Sequence, residues 1–200
     1  MTQTKRQTQK LQTRKHIIDI ALQQFAKVGL AAARTSDIAS EAKVSHGTVF
    51  AHFPTREALV DAVIEEFGMR LANRLHELIR DNCGMKEILE AHLQGICEYE
   101  AFYTRLILEG PLLKESARNS LIMIQSTLSF HIAQAAEQGM QDCKIRVQPV
   151  DLLFNTWIGL VHHYLVNKDL FAPGGSVIER HGPRLVEHYL MLIAQTKGEA

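Results

Sequence analysis

Apolar residues at helical spacing run through most of this chain, and they constrain its fold more than any other feature. From 59 to 78 the row is Leu59, Val63, Phe67, Leu71, Leu75 and Leu78. Steps of four and three put all six on one helix face. Leu113, Ala117, Leu121, Ile124, Leu128, His131 and Ala135 repeat the pattern ahead of Gly139, as do Ile17, Ala21, Phe25 and Val28 ahead of Gly29. No segment alternates as a half-buried strand does, and no glycine-rich phosphate loop or solenoid period appears. The chain reads as all-α, with about nine helices.

Breakers and caps divide the pattern. The first helix starts at Thr13. A short one fits Thr35–Ala42, with Thr35 or Ser36 as cap and Asp37 at its positive end. Lys43-Val44 is a turn, and Ser45 caps a third helix over about His46–Phe50. Pro54 breaks the chain before the long helix that Thr55 starts and Asn82-Cys83-Gly84 ends. Helices over Met85–Tyr99 and Phe102–Leu108 follow, then one after Gly110-Pro111, then one from Pro149 to about Asn167. Asp169–Ser176 reads as a loop. The last helix runs towards Gln195, restarting at Pro183.

Charge divides the chain differently. Lys+Arg and Asp+Glu are both 22, a net of zero. Taken whole, that balance disfavours a nucleic-acid binder. Residues 1–56, however, hold nine bases against three acids, +6, and the remaining 13 bases and 19 acids give −6. The basic end is where an anionic polymer would sit. Within it, Met1–Gln12 is rich in Thr, Gln and Lys and reads as a mobile basic arm. No run of 18 apolar residues spans a membrane. The polar start, Met1 to Lys15, lacks the apolar core of a secretory signal. Cys83, Cys97 and Cys143 are odd in number and lack metal-site spacing, so the expected setting is a reducing cytoplasm.

Residues 13–54 compress three helices into about forty residues. The turn between the second and third is too short for antiparallel packing, which is the helix-turn-helix arrangement. Ile38, Val44, Val49 and Phe53 close a small core and leave His46, Thr48 and His52 on other faces. The residues Thr35, Ile38-Ala39, Ala42, Val44-Ser45, Gly47-Thr48-Val49-Phe50, His52-Phe53, Arg56-Glu57 and Leu59 closely resemble the TetR/AcrR family of transcriptional regulators. The resemblance by motif covers the N-terminal quarter; the rest is similar in helix order and length. It implies that Ser45 caps a recognition helix and that Gly47 lets it approach the DNA backbone. It implies base or groove contacts from His46, Thr48 and Val49. It implies phosphate contacts from Thr35, His52 and Arg56, with Arg34, Ser36, Lys43 and Phe50 in the same interface. Two residues depart from the family pattern. Lys43 stands where Gly is usual, and Phe50 replaces a common Tyr, removing a phenolic phosphate contact.

Residues 55–200 are expected to sense a ligand and dimerise. Val150–Val166 is apolar nearly all round, which implies burial on two sides. The resemblance implies that it pairs with the last helix across a two-fold axis, through Leu153, Trp157, Leu160, Val161, Tyr164, Leu185, Tyr189, Leu192 and Ile193, giving a homodimer on a palindromic operator. A small-molecule pocket is expected from His92, Ile96, Tyr99, Tyr103, Met123, Thr127, His131 and Trp157. Its apolar lining suits an uncharged or aromatic effector. Each buried histidine could equally be a satisfied core residue. No catalytic motif, metal set or resident cofactor is read. His162-His163 point about 100° apart, and His181 with His188 lack completing ligands. The expected function is a repressor released from DNA by its effector. A regulator with metal or redox sensing, a helical-bundle enzyme and a helical interaction protein without DNA binding are the competing readings.

Overall fold

The structure, a computed structural model, describes residues 5–79 and 83–195. Of the helix end expected at Asn82-Cys83-Gly84, Asn82 lies outside the described residues, and the helix already ends at Leu78. The elements are α1 (Lys5–Val28), α2 (Thr35–Glu41), α3 (His46–His52), α4 (Arg56–Leu78), α5 (Met85–Cys97), α6 (Glu100–Glu109), a 3-10 turn (Gly110–Leu112), α7 (Glu115–Gln141), α8 (Val150–Val166), α9 (Lys168–Phe171) and α10 (Val177–Ile193). The fold is all-α. Among the described residues the only bridge of strand type is an isolated antiparallel one between Ile145 and Ala194.

Three boundaries differ from the sequence expectation. The segment read as a mobile arm is helical from Lys5. It contains no Gly or Pro, Lys, Arg and Gln are strong helix formers, and it continues a helix already anchored by Ile17, Ala21 and Phe25. Part of the expected loop after α8 forms the short helix α9, whose turn closes through Ala172 N–H donating to Lys168 O at 2.7 Å. Finally, α10 does not restart at Pro183 but runs through it. The start of α10 is held by two caps. Ser176 Oγ accepts Glu179 N–H at 3.0 Å. Glu100 accepts Val177 N–H at 2.9 Å and Ile178 N–H at 3.2 Å. Buried Ile178, Leu185, Val186 and Tyr189 hold both sides of the proline, offsetting the one hydrogen bond it removes.

The helices fall into two compact units. One comprises residues up to 69 together with 101–121, the other 70–100 together with 122 onwards. The first unit therefore extends past the segment 13–54 that carries the helix-turn-helix. It adds the start of α4 and all but the first residue of α6, where Phe67 meets Phe102 edge-on at 5.2 Å and lies 5.8 Å from Tyr103. In the second unit α10 packs on α5 and α8. Its centre is a buried polar chain. Trp157 Nε1–H donates to His92 Nδ1 at 3.1 Å, Trp157 meets Tyr189 edge-on at 5.3 Å, and Tyr189 Oη–H donates to Leu153 O at 2.7 Å.

Candidate nucleic-acid interface

The turn between α2 and α3 is built by backbone hydrogen bonds. Lys43 has φ +55°, in the left-handed region that favours glycine. Its N–H donates to Ser40 O at 3.1 Å, and Val44 N–H donates to Ala39 O at 3.0 Å. This is the Schellman closure of a helix end, with Lys43 as the left-handed residue. The turn demands that conformation and Lys43 adopts it, at a cost of about 1–2 kcal/mol. His16 Nε2 lies 3.1 Å from Ala42 O and ties α1 to the same helix end.

Ser45 then starts α3. Its Oγ accepts Thr48 N–H at 3.0 Å and lies 2.8 Å from Thr48 Oγ1. Ser45, His46, Gly47 and Phe50 are exposed and Thr48 is half-buried, so the start of α3 is accessible on more than one side. A Cβ on Gly47 would meet only Ser45 Oγ, at 3.8 Å. The fold itself does not demand glycine there, and the bare backbone keeps the start of α3 open to an approaching surface. His46 is held on two sides. Its Nε2 lies 3.0 Å from Thr35 Oγ1, and Phe50 meets its ring edge-on at 4.8 Å and 86°.

Several expected contact residues are engaged elsewhere. Val49 is 1% exposed; its side chain belongs to the core and presents no edge to a groove. Neither Thr35 nor Ser36 caps α2. That position is Arg34, with extended backbone and no side-chain cap. Ser36 bonds Asp37 instead, at 3.2 Å. Arg56 is half-buried, its guanidinium donating to the carbonyls of Leu30, Ala31 and Ala33 in the α1–α2 connection. His52 is half-buried, and burial first, then the positive charges of Lys10 and Arg14, lower its pKa.

Sequence reasoning missed Glu109. Its two carboxylate oxygens accept Leu30 N–H at 3.1 Å and Ala31 N–H at 2.6 Å. A Cβ on Gly29, which has φ +95°, would stand 2.5 Å from Glu109 Oε1. No local pattern marks a partner 78 residues away along the chain.

The expected effector residues are dispersed. His92 and Trp157 satisfy each other, Ile96 is fully buried, and Tyr99 is half-buried with Arg70 6.0 Å from its ring centroid. Tyr103 lies in the first unit. Met123 is 68% exposed, Thr127 donates to Met123 O in its own helix, and His131 is half-buried. Of the expected dimer residues, Leu153, Trp157, Val161, Leu185, Tyr189 and Ile193 are buried within the chain. Leu160 and Tyr164 are half-buried, Tyr164 stacking on Phe171 at 4.1 Å. Leu192 is exposed, as are Leu152 and Met191. Among the described residues no three metal-ligating side chains converge, and no helix is long and apolar enough to cross a membrane.

Comparison with known proteins agrees with the first unit's geometry. Residues 17–63 match the family described as bacterial regulatory proteins, tetR family. The transcriptional repressor Rv3405c of Mycobacterium tuberculosis is 45% identical over 60 residues, 30% of this chain and 32% of that protein. The chain thus spans about a third of the curated relatives it matches at that level. The repressor KstR2 of Rhodococcus jostii is 25% identical over 175 residues, 82% of each chain. Among solved structures, the ketosteroid transcriptional regulator KstR2 of Mycobacterium tuberculosis has a TM-score of 0.72 at 19% identity, covering 92% of this chain and 95% of that one. A TetR-family regulator from Agrobacterium tumefaciens reaches 0.75 at 16% identity, covering 92% and 99%. These relatives are regulators rather than enzymes. Over residues 17–63, and in the helix-turn-helix they build, this chain is similar to the tetR family of bacterial regulatory proteins.

Proposed function

We propose that the chain is a sequence-specific DNA-binding transcriptional repressor that acts in the cytoplasm as a homodimer on a palindromic operator. The observation that carries this reading is the accessible start of α3. Ser45, His46, Gly47, Thr48 and Phe50 project from a helix fixed by an N-cap and a Schellman turn, and His46 is preorganised by Thr35 and Phe50. A helix so placed fits the major groove, where side chains near its start meet base edges. The +6 charge of residues 1–56 supports the same face.

A two-fold dimer matches a palindrome half-site by half-site. Exposed Leu152 on α8 with Met191 and Leu192 on α10 supports those helices as the surface that pairs. Release works by a ligand that shifts the spacing of the two recognition helices, a two-state mechanism. The ligand class is small and apolar or aromatic, and no resident cofactor takes part. The likeness to a protein described as a ketosteroid regulator supports that class.

The test is selection of bound duplexes from a random pool, with affinity then measured against salt. The expected result is a palindromic consensus whose binding weakens steeply with salt and is relieved by an apolar metabolite. A pool that yields no consensus sinks the reading.

A further inference from the structure

The family match begins at residue 17, yet α1 is helical from Lys5. Residues 5 to 12 are exposed throughout. Arg6, Lys10 and Arg14 follow one another at intervals of four, so they share a face and rise about 6 Å per step. The row ends against α3. The Arg14 guanidinium carbon lies 4.9 Å from the centroid of the Phe53 ring, whose neighbour His52 closes the C-terminal end of α3 with ring centroids 6.3 Å apart. The charges of Lys10 and Arg14 both reach the His52 imidazole. Like charges four apart disfavour their own helix by a few tenths of a kcal/mol per pair. The row therefore resembles a surface shaped for an anion chain rather than for its own stability.

We propose that Arg6, Lys10 and Arg14 form a rigid cationic rail on α1 that follows the phosphates of a DNA strand beyond the base pairs met by α3, with His52 at its inner end. The proposal rests on the DNA-binding reading above. Steps of about 6 Å along a straight helix suit a polymer that presents a charge at short, regular intervals. Contacts to phosphate add affinity and fix register but carry no sequence information. A flexible arm would bring the same charges to a minor groove in no fixed geometry. The helical rail holds them in fixed register from its contact at the end of α3, where Arg14 meets Phe53.

The experiment uses the full chain and the duplex recovered by selection, with affinity measured by fluorescence anisotropy from 50 to 200 mM salt. Arg6→Gln with Lys10→Gln removes two exposed charges and leaves the unfolding transition in place. The slope of log affinity against log salt then falls by about two. The loss of affinity is largest at low salt, shrinks about tenfold across that range, and is equal for the selected and a scrambled duplex. Gln9→Pro keeps every charge but breaks the helix, and the rail requires it to lose slope as well. An unchanged slope in the double variant overturns the proposal. A full slope in Gln9→Pro beside a reduced one in the double variant overturns its rigidity and leaves a flexible arm. A wild-type chain that binds no duplex at any salt overturns both the rail and the DNA-binding reading. Binding by the wild type with no response from either variant overturns the rail alone.

Discussion

Glu109 and Arg56 hold the same two residues from opposite sides. The Glu109 carboxylate takes the N–H groups of Leu30 and Ala31, while the Arg56 guanidinium donates to their carbonyls and to that of Ala33. A connection between two helices normally leaves such groups to water or caps. Here a residue at the start of α4 and one at the end of α6 supply both polarities. The clamp fixes where α2 departs from α1, and with it where α3 points.

Removing either half of the clamp strands that half's own partners. Glu109→Ala leaves two N–H groups without their acceptor, and the expected loss of stability is about 1–3 kcal/mol, read as a lower midpoint in urea. Arg56→Ala is expected to lose a similar amount. Its effect on DNA discriminates two roles. A phosphate contact would reduce the salt slope by about one, whereas a clamp residue leaves the slope unchanged and lowers only the fraction of competent protein. A reduced slope in a fully folded Arg56→Ala chain would return that residue to the phosphates.

Lys43 offers the opposite sign. Its φ of +55° is required by the Schellman closure of α2, and glycine adopts that conformation without its Cβ penalty. Lys43→Gly is expected to stabilise the domain by up to about 1 kcal/mol, the relief of strain being partly offset by a more flexible unfolded chain. The exposed Lys43 side chain makes its removal nearly free of packing loss. A Lys43→Gly chain that unfolds at lower urea concentration than its parent would show that the lysine gives the turn something more than its backbone.

Local chemistry made the helix-turn-helix legible in sequence. The departure at Lys43 is visible against the glycine usual in the family that the motif resembles, and Ser45 is visible because a hydroxyl before a helix accepts its N–H groups. Apolar spacing also located α4 and α7. What stayed hidden is long-range. Glu109 meets the turn from 78 residues away, and His92 meets Trp157 from 65. No periodicity encodes such pairs. The apolar stripe that located α5 marked His92 as interior but did not say whether Trp157 or a ligand would satisfy it. Val49 was ambiguous for a related reason. On a seven-residue helix one side chain decides between core and groove, and only packing against α2 settles it.

The buried histidines set a pH dependence. Desolvation holds His92 to a pKa of about 3 and His162 to about 4, against 6.5 in an unfolded chain. Both folded values are depressed, so below pH 6.5 the unfolded chain binds protons that the folded one does not. Stability is complete above 6.5 and declines as pH falls towards 4 and then 3. At pH 5 the loss from His92 is about 2 kcal/mol. Urea midpoints between pH 7.5 and 5 measure it. His92→Gln, which still offers an acceptor to Trp157 Nε1–H, is expected to flatten that decline. An equally steep decline in the variant would place the titration elsewhere.

His46 and Thr35 carry the sharpest prediction about specificity. The Thr35 hydroxyl, 3.0 Å from His46 Nε2, and the Phe50 ring, edge-on at 4.8 Å, hold the imidazole at the exposed start of α3. A preorganised donor or acceptor discriminates bases by about 1–3 kcal/mol for a well-made contact. His46→Ala is expected to flatten preference at one base pair of each half-site and to leave the others intact. Thr35→Val keeps the shape of Thr35 but releases the ring, so it should flatten the same base pair in part, with the salt slope unchanged. The assay is competition among duplexes carrying each single substitution. Thr35 acting on phosphate predicts a different outcome, equal weakening of every duplex together with a slope lower by about one. The two patterns cannot arise from the same contact, so one set of titrations decides whether Thr35 orients a base-reading side chain or holds the backbone.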